Sequence, residues 1–203
     1  MKKIEIKNLS KSYRKVIVLN NINYIFKEGF CYLITGANGT GKSTFLNLII
    51  GLIYPNHGYV NNNLLINYVP DKNILPFNVT INKILLLLTE LKNDNYINTI
   101  MLMKYFDIYN NRYKKINELS KGMIQKVLII QAFIGNPDVI IFDEALNGLD
   151  KDNQEKLKEI IEILKRSAKT IIITSHYPDY YNDLCDCLIY LKRRVLAMWR
   201  KIV

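Results

Sequence analysis

The chain has 203 residues, 49% of them hydrophobic, and a formal net charge of +10, which suits one domain with a substantial core. No apolar run reaches the roughly 18–20 residues of a membrane-spanning helix, and the N-terminus lacks the apolar core of a signal peptide, so we expect a soluble, cytoplasmic protein. The basic residues are spread along the chain, which favours a solvated surface over nucleic-acid binding, and the three cysteines lack the second pair that a zinc site needs.

The first third of the chain alternates apolar and polar residues, as half-buried strands do. Ile4 and Ile6, for example, alternate with Glu5 and Lys7. A turn cluster at 55–58 separates the later strands from the earlier ones. We expect strands over 4–7, 16–26, 30–35, 59–60 and 64–69, and a helix over 42–50.

A glycine-rich loop joins the buried strand at 30–35 to the helix at 42–50. Residues 36–44 read Gly-Ala-Asn-Gly-Thr-Gly-Lys-Ser-Thr, and the order strand, loop, helix is the context of a phosphate-binding loop. The glycines bring bare N–H groups against phosphate oxygens, and the positive end of the helix points at them. Lys42 can reach the outer phosphates and the Ser43 hydroxyl can ligate magnesium. The predicted site for a nucleoside triphosphate and Mg²⁺ comprises Asn38, Gly39, Gly41, Lys42, Ser43 and Thr44.

From about residue 77 the hydrophobic period changes to that of helices. Thr80 can cap a first helix, a second helix begins near Asp94, and a third begins at Ser120 and is broken by the proline turn at 136–138. We therefore expect a single domain, 1–203, with a core of about 1–76 and 137–203 and an inserted helical subdomain of about 77–136.

The last third of the chain alternates strands with helices, which predicts a mainly parallel sheet and an α/β fold. Apolar runs at 139–142 and 170–174 are typical of buried parallel strands. Because open parallel sheets bind ligands outside the carboxyl ends of their strands, the residues after these runs are expected beside the phosphate loop. The other expected elements are helices over 151–167 and 178–184 and strands over 188–191 and 195–199.

Two acids and a histidine stand at those strand ends. Asp143 can hold Mg²⁺, and Glu144 points toward the γ-phosphate and can polarise an attacking water. His176 can hydrogen-bond the γ-phosphate or orient that water, although a lone histidine is more often structural. Tyr13, expected in a loop between the first two strands, either stacks on the base or belongs to the packing.

Two further features have a structural and a functional interpretation. Ser120 is a natural N-cap and Gly122 exposes backbone N–H groups, so the start of the third predicted helix is either an ordinary capped end or a second anion site. The C-terminal basic cluster is either a solvated face or a site for an anionic partner. That cluster comprises Lys192, Arg193, Arg194, Arg200 and Lys201.

In this order the motifs resemble those of the nucleotide-binding subunits of ATP-binding-cassette (ABC) transporters over essentially the full length. The phosphate loop matches the Walker A motif of that family, and residues 140–144 match Walker B with Glu144 as the catalytic glutamate. Residues 119–123 occupy the position of the family signature. The remaining matches are the D-loop at 147–150, which implies Asp150 in the ATP site, the switch histidine His176 and the base-stacking Tyr13.

Two places depart from the family pattern. The signature normally has glycine and glutamine where this chain has Lys121 and Met123, while Ser120 and Gly122 are kept. The loop that usually carries a glutamine has Asp71, which can still bind Mg²⁺ or water through its oxygens. Both variants are similar to those of single-domain cassettes in small bacterial export-type systems.

The resemblance implies a P-loop NTPase of the ABC ATPase type, with a RecA-like parallel-sheet core, an antiparallel β subdomain and the inserted helical subdomain. Two cassettes, identical or different, would sandwich ATP, with Ser120 and Gly122 of one closing over the γ-phosphate held by Lys42 of the other. Closure would move separate membrane-spanning permease subunits, which hold the cassette at the inner face of the cell membrane; Glu144 and His176 would hydrolyse the ATP. The permease would dock on the helical subdomain, whose apolar residues Phe77, Met103 and Phe106 are otherwise core.

Two other function classes stay open from the sequence. A soluble ABC-type ATPase acting on ribosomes or nucleic acid is compatible with the charge of +10. A non-hydrolysing module with a degenerate site is disfavoured because the phosphate-loop lysine, both acids and the histidine are intact. We expect an ATPase that powers transport of a substrate which the sequence does not name.

Overall fold

The computed structural model describes residues 2–146, 148–181, 183–192 and 195–201. Predictions on Asn147, Arg193 and Arg194, and on the side chains of Arg200 and Lys201, lie outside this description. In chain order the strands are β1 (Lys3–Tyr13), β2 (Val16–Lys27), β3 (Cys31–Thr35), β4 (His57–Asn61), β5 (Ile66–Val69), β6 (Val139–Asp143), β7 (Thr170–Thr174), β8 (Cys187–Lys192) and β9 (Val195–Lys201). The α-helices are α1 (Lys42–Ile49), α2 (Ile81–Leu91), α3 (Tyr96–Tyr105), α4 (Lys121–Phe133) and α5 (Lys151–Arg166).

The strands form two sheets of different kinds. One is antiparallel, in the order β2-β1-β4, and the other has the order β5-β6-β7-β3-β8-β9. In the larger sheet all neighbours are parallel except β8 and β9. Every residue of β3, β6 and β7 is buried, which is why these strands are continuous apolar runs.

The register of the larger sheet places the ends of its central strands side by side. Asp143 of β6 pairs with Thr174 of β7, and Thr174 pairs on its other side with Ile34 of β3. The glycine-rich loop that leaves β3 therefore lies at the same sheet edge as the two acids and His176. This edge is where ligands of open parallel sheets bind.

Hydrophobic cores cover both faces of the larger sheet. On one face the sheet packs with helices α2 to α5, and on the other with α1 and the antiparallel sheet. Met103 and Phe106 are fully buried in the first core, whereas Phe77 is 64% exposed. The apolar residues of the helical segment are therefore divided between core and surface.

The expected fold class is confirmed: an α/β protein with a parallel-sheet core, an antiparallel β part and an inserted run of helices. Two predicted caps are also confirmed, because Thr80 and Ser120 accept hydrogen bonds from the backbone N–H groups of Lys83 and Met123 at 3.3 Å. The subdomain boundaries at 77 and 136 stay a prediction. No helix in the described part of the chain has the length and apolar character that a bilayer crossing demands.

The structure corrects the expectation that Tyr13 lies in a loop. The β1–β2 pairing runs on to Tyr13 and Val16, so the hairpin turn is only Arg14 and Lys15. Arg14 has a φ of 52°, which suits the tight turns that match the twist of paired strands. Tyr13 is therefore held as the last residue of a strand.

Two other local predictions were wrong. The turn cluster at 55–58 contributes His57 and Gly58 to β4, because Gly58, with a φ of 74°, lets that strand approach the β1 backbone at a register shift. The helix expected over 178–184 is a 3₁₀ turn, Pro178–Tyr181.

Candidate nucleotide-binding site

A cavity of about 480 Å³ opens at the carboxyl edge of the larger sheet. Its walls come from the glycine-rich loop and α1, from the ends of β6 and β7, from the first hairpin and from the segment after β5. The structure thus brings together most of the predicted site residues. The lining residues are Tyr13, Val18, Asn38, Gly39, Gly41, Lys42, Ser43, Thr44, Asp71, Asp143, Glu144 and His176.

The glycine-rich loop wraps closely around its own lysine. Lys42 is 8% exposed, and its Nζ donates to the carbonyl oxygens of Gly36 at 2.8 Å and Ala37 at 3.4 Å. Burial lowers the pKa of the Lys42 ammonium, while the charges of Glu144 and Asp143 oppose that shift. The loop therefore holds a cation at the base of the cavity.

Gly41 is the position where the loop most needs glycine. Its φ is 101° where it caps α1, a conformation that other residues rarely adopt. A Cβ there would also lie 2.9 Å from Cγ1 of Val18. Residues 41–44 at the start of α1 line the cavity, and the unpaired N–H groups of a helix N-terminus favour an anion there.

The Asp143 carboxylate is held by two hydroxyl groups. It is 3% exposed; Thr174 Oγ1 donates to its Oδ1 at 2.5 Å and the Tyr68 hydroxyl donates to its Oδ2 at 3.0 Å. Burial first, and then the Asp143 charge, raise the pKa of Tyr68, so that phenol stays protonated and remains a donor.

Glu144 and His176 face each other at the cavity. Nε2 of His176 lies 3.0 Å from Oε1 of Glu144, and the glutamate side chain is 10% exposed. Glu144 has a φ of 55°, which is uncommon for a residue other than glycine. Neighbouring contacts must hold such a conformation, and residues in it cluster at active sites, although turn residues of this chain such as Asn93 and Ala168 also adopt it.

Ser120, Gly122 and Asp150 lie outside the cavity lining. Ser120 and Asp150 are exposed and serve as N-caps of α4 and α5, where Asp150 accepts from the Asn153 N–H at 2.9 Å. Gly122 packs against the Gly148 backbone, since a Cβ at Gly122 would lie 2.7 Å from the Gly148 oxygen. In the single chain these residues form no part of the predicted ATP site.

Asp71 and Tyr13 lie at the rim of the cavity. Asp71 is exposed, and Tyr13 is 47% exposed with Lys11 Nζ 5.3 Å from its ring centroid. Within the described residues, no three histidine, cysteine, aspartate or glutamate side chains are placed to hold a metal ion. Any metal in the cavity must therefore also use other oxygens.

Three residues of the site were missed from the sequence: Val18, Tyr68 and Thr174. Thr174 is the last residue of β7 and lies two positions before His176. Its place at the same edge of the sheet as His176 could therefore have been inferred from the sequence. Tyr68 reaches the site only through the pairing of β5 with β6, over a long sequence distance, and Val18 reaches it on the first hairpin; the identity of neither residue carries a local signal for the site.

The sheet edge, the glycine loop on a helix N-terminus and the acid–histidine pair define a nucleoside-triphosphate-binding protein of the P-loop class. A family profile described as ABC transporter matches residues 19–147. That match covers more than half of the chain, so the chain belongs to the ABC transporter family.

Curated relatives match over nearly the whole chain. One is an uncharacterized ABC transporter ATP-binding protein of Methanocaldococcus jannaschii, 36% identical over 98% of this chain and 78% of that protein. Another is the zinc import ATP-binding protein of Wigglesworthia glossinidia brevipalpis, 34% identical over 96% of this chain and 84% of that protein.

The fold is also that of solved cassettes. A dimeric ATP-binding cassette in a post-hydrolysis state, bound to ADP and phosphate, has a TM-score of 0.90 and 26% identity over 98% of this chain and 99% of that one. The chain is an ATP-binding subunit of an ABC transporter, and its ATP hydrolysis is coupled to transport. The transported substrate is unknown, and the export-type subgroup stays a prediction.

Proposed function

We propose that ATP binds with its phosphates on residues 36–44 and is hydrolysed by Glu144 and His176. Lys42 neutralises the outer phosphates, Glu144 polarises the attacking water, and the imidazole orients that water or the γ-phosphate. The observation that carries this proposal is that the acid–histidine pair and the buried lysine line one cavity. Tyr13, half-exposed at the rim, stacks on the base.

Magnesium fits the donors that this chain offers. Mg²⁺ prefers oxygen ligands and is usually held by one or two carboxylates together with substrate phosphates. Asp143 offers a buried carboxylate, Ser43 a hydroxyl at the start of α1, and Asp71 a carboxylate at the rim. When bound, the ion would neutralise charge on the phosphates.

We further propose that the site is completed by a second cassette, identical or different. Ser120 and Gly122 lie at the exposed start of α4, outside the cavity, so they can reach a nucleotide only across an interface. The solved cassette dimer with 26% identity supports this arrangement. Asp150, beside the same surface at the start of α5, would join the partner's ATP site.

The transport partner is proposed to be a separate permease subunit with membrane-spanning helices. It would dock on the predicted helical subdomain and hold this chain at the inner face of the membrane. The exposed apolar side chains of that segment support the proposal; they include Phe77, Leu87, Leu91, Ile97, Met101 and Tyr113. Met103 and Phe106 are fully buried and are left out of this surface. Nucleic acid is left out of the proposed partners, because the basic residues are spread along the chain.

The variant Glu144→Gln tests both the catalytic role and the dimer. We expect ATP hydrolysis to fall by about 100-fold or more, since general-base catalysis contributes about 10²–10⁴. We also expect an ATP-dependent dimer to accumulate, measured by light scattering. The matched control is Glu162→Gln on the exposed surface of α5, where the carboxylate pairs with Arg166.

Two results would contradict the proposal. Unchanged hydrolysis in Glu144→Gln would remove the catalytic assignment. A variant that binds ATP but stays monomeric at high protein concentration would remove the two-cassette site.

A further inference from the structure

The hydroxyl group of Thr174 lies between the two acids of the site. Its Oγ1 donates to Asp143 Oδ1 at 2.5 Å and accepts from the backbone N–H of Glu144 at 3.1 Å. Thr174 is fully buried, so water does not replace either contact. A single side chain thus touches both residues that the site needs.

Glu144 depends on this contact for its backbone conformation. Its φ of 55° costs free energy for a residue with a side chain and persists only where neighbours hold it. Its N–H group is shared between the Thr174 hydroxyl at 3.1 Å and the Thr174 carbonyl at 3.2 Å. If the hydroxyl is removed, the backbone of Glu144 can relax and its carboxylate can turn away from His176.

Asp143 is held from both neighbouring strands. Thr174 on β7 donates to one carboxylate oxygen, and Tyr68 on β5 donates to the other at 3.0 Å. One donor on each oxygen fixes the rotation of the carboxylate, and charge-assisted hydrogen bonds of this kind are roughly twice as strong as neutral ones.

We propose that Thr174 is a positioning residue for ATP hydrolysis: its hydroxyl sets the direction of both acids, and Tyr68 assists on Asp143. The inference rests on the roles proposed for Asp143 and Glu144. Thr174 itself touches neither nucleotide nor water in this account, because it lies behind the acids and outside the cavity lining.

The test is Thr174→Val in the full chain, which removes the hydroxyl and keeps the shape of the side chain. We expect kcat for ATP hydrolysis to fall on the order of tenfold to a hundredfold, the size expected when a hydrogen bond to a charged group is lost. We expect KM, and the affinity for a fluorescent ATP analogue, to stay within about twofold. Thr174→Ser, which keeps the hydroxyl, should restore most of the rate.

Thr170→Val is the matched control on the same strand. Thr170 is equally buried, at 3% exposure, but its hydroxyl lies 3.4 Å from the Lys27 carbonyl oxygen at the far end of β7. A wild-type rate in Thr174→Val would overturn the proposal. So would a Thr174→Ser protein as slow as Thr174→Val, or a Thr170→Val protein that loses as much activity, because packing would then be the cause.

Tyr68→Phe gives an independent measurement if Thr174→Val does not fold. It removes one oxygen from a half-buried ring, and we expect kcat to fall about threefold at unchanged KM. An unchanged kcat would overturn the claim that hydroxyl donors aim Asp143. Glu144→Gln, measured alongside, separates this inference from the proposed function: if it stays fully active the catalytic assignment itself fails.

Discussion

The two groups of predicted nucleotide contacts are placed by different parts of the fold. Lys42, Asp143, Glu144 and His176 follow or flank the ends of parallel strands, and the sheet register brings them around one cavity. Ser120 and Asp150 stand at the starts of α4 and α5, where their oxygens accept hydrogen bonds from their own helices. The sheet therefore builds one half of a site within the chain, while the helix starts present an exposed surface.

This difference separates binding from turnover. Lys42, Asp143 and Glu144 are buried or half-buried, whereas His176 is exposed, and we expect this group to hold a nucleotide without a second cassette. In the proposed two-cassette arrangement, the helix-start group would act on a nucleotide held by the other cassette. Variants of the strand-end residues should therefore lose ATP affinity or ATP hydrolysis whether the protein is a monomer or a dimer. Variants of the helix-start residues should keep ATP affinity and lose only the ATP hydrolysis that depends on the dimer.

The largest effect on ATP binding should come from Lys42→Ala, which removes the buried cation from the strand-end residues. We expect affinity for ATP to fall at least about 100-fold, since hydrogen bonds to charged groups are worth about 1.5–3 kcal/mol each. Isothermal titration calorimetry measures this, with Lys83→Ala on the exposed face of α2 as the control. ATP affinity that survives in Lys42→Ala would show that the glycine loop is not the binding site.

A smaller effect, confined to the rate of ATP hydrolysis, should come from Ser120→Gly at the start of α4. Glycine costs an N-cap only a few tenths of a kcal/mol, so stability and ATP affinity should stay close to wild type. We expect kcat to fall about tenfold to a hundredfold if the hydroxyl serves the partner's γ-phosphate, because a hydrogen bond to a charged group is worth about 1.5–3 kcal/mol.

Asn95→Gly is the matched control for this prediction. Asn95 is the N-cap of α3, where its side chain accepts from the Ile97 N–H at 2.9 Å. The same substitution there removes a helix cap that belongs to neither the cavity lining nor the starts of α4 and α5. Equal loss of turnover in both variants would assign the Ser120 effect to the helix cap. A loss of ATP affinity in Ser120→Gly would instead place Ser120 with the strand-end residues. The proposed division between strand-end and helix-start residues would then be wrong.

The same contrast explains what the sequence could predict. The glycine loop, the apolar strands and the caps of α2 and α4 are local patterns, and the structure has all of them. Asp143 and Glu144 could be placed at the sheet edge because an apolar run precedes them. Their hydrogen-bond partners could not, since Tyr68 and Thr174 meet Asp143 through a strand order that no local period encodes.

Backbone conformation was also beyond the sequence pattern. Nothing in the residues around Glu144 predicts its φ of 55°, because glutamate has no preference for that region and the value depends on contacts with β7. Tyr13 was expected in a loop for a related reason: polar residues near a hairpin end do not reveal how far the strands stay paired. Long-range contacts decide both cases.

The smallest effect should come from Asp150→Asn, which keeps a good N-cap and removes a charge from the start of α5. Hydrogen bonds from the Asn153 backbone N–H, and then from its side chain, lower the pKa of Asp150. Because the pKa is lowered in the folded state, the ionised cap stabilises the protein above the unfolded pKa of about 3.9, and this contribution is lost as the pH falls below that value. At neutral pH we expect the free energy of unfolding to change by less than about 0.5 kcal/mol, since asparagine caps a helix as well as aspartate.

Urea unfolding from about pH 6 down to about pH 3 measures this prediction, and the acid loss of stability should be shallower in Asp150→Asn because asparagine does not titrate. Identical slopes would mean that the Asp150 charge contributes nothing to α5. The ATPase rate of the same variant then decides between the two roles of Asp150. A rate close to wild type makes the residue a helix cap alone. A rate that falls while stability at neutral pH is kept places its carboxylate in the partner's ATP site, since a cap that asparagine preserves cannot account for the loss.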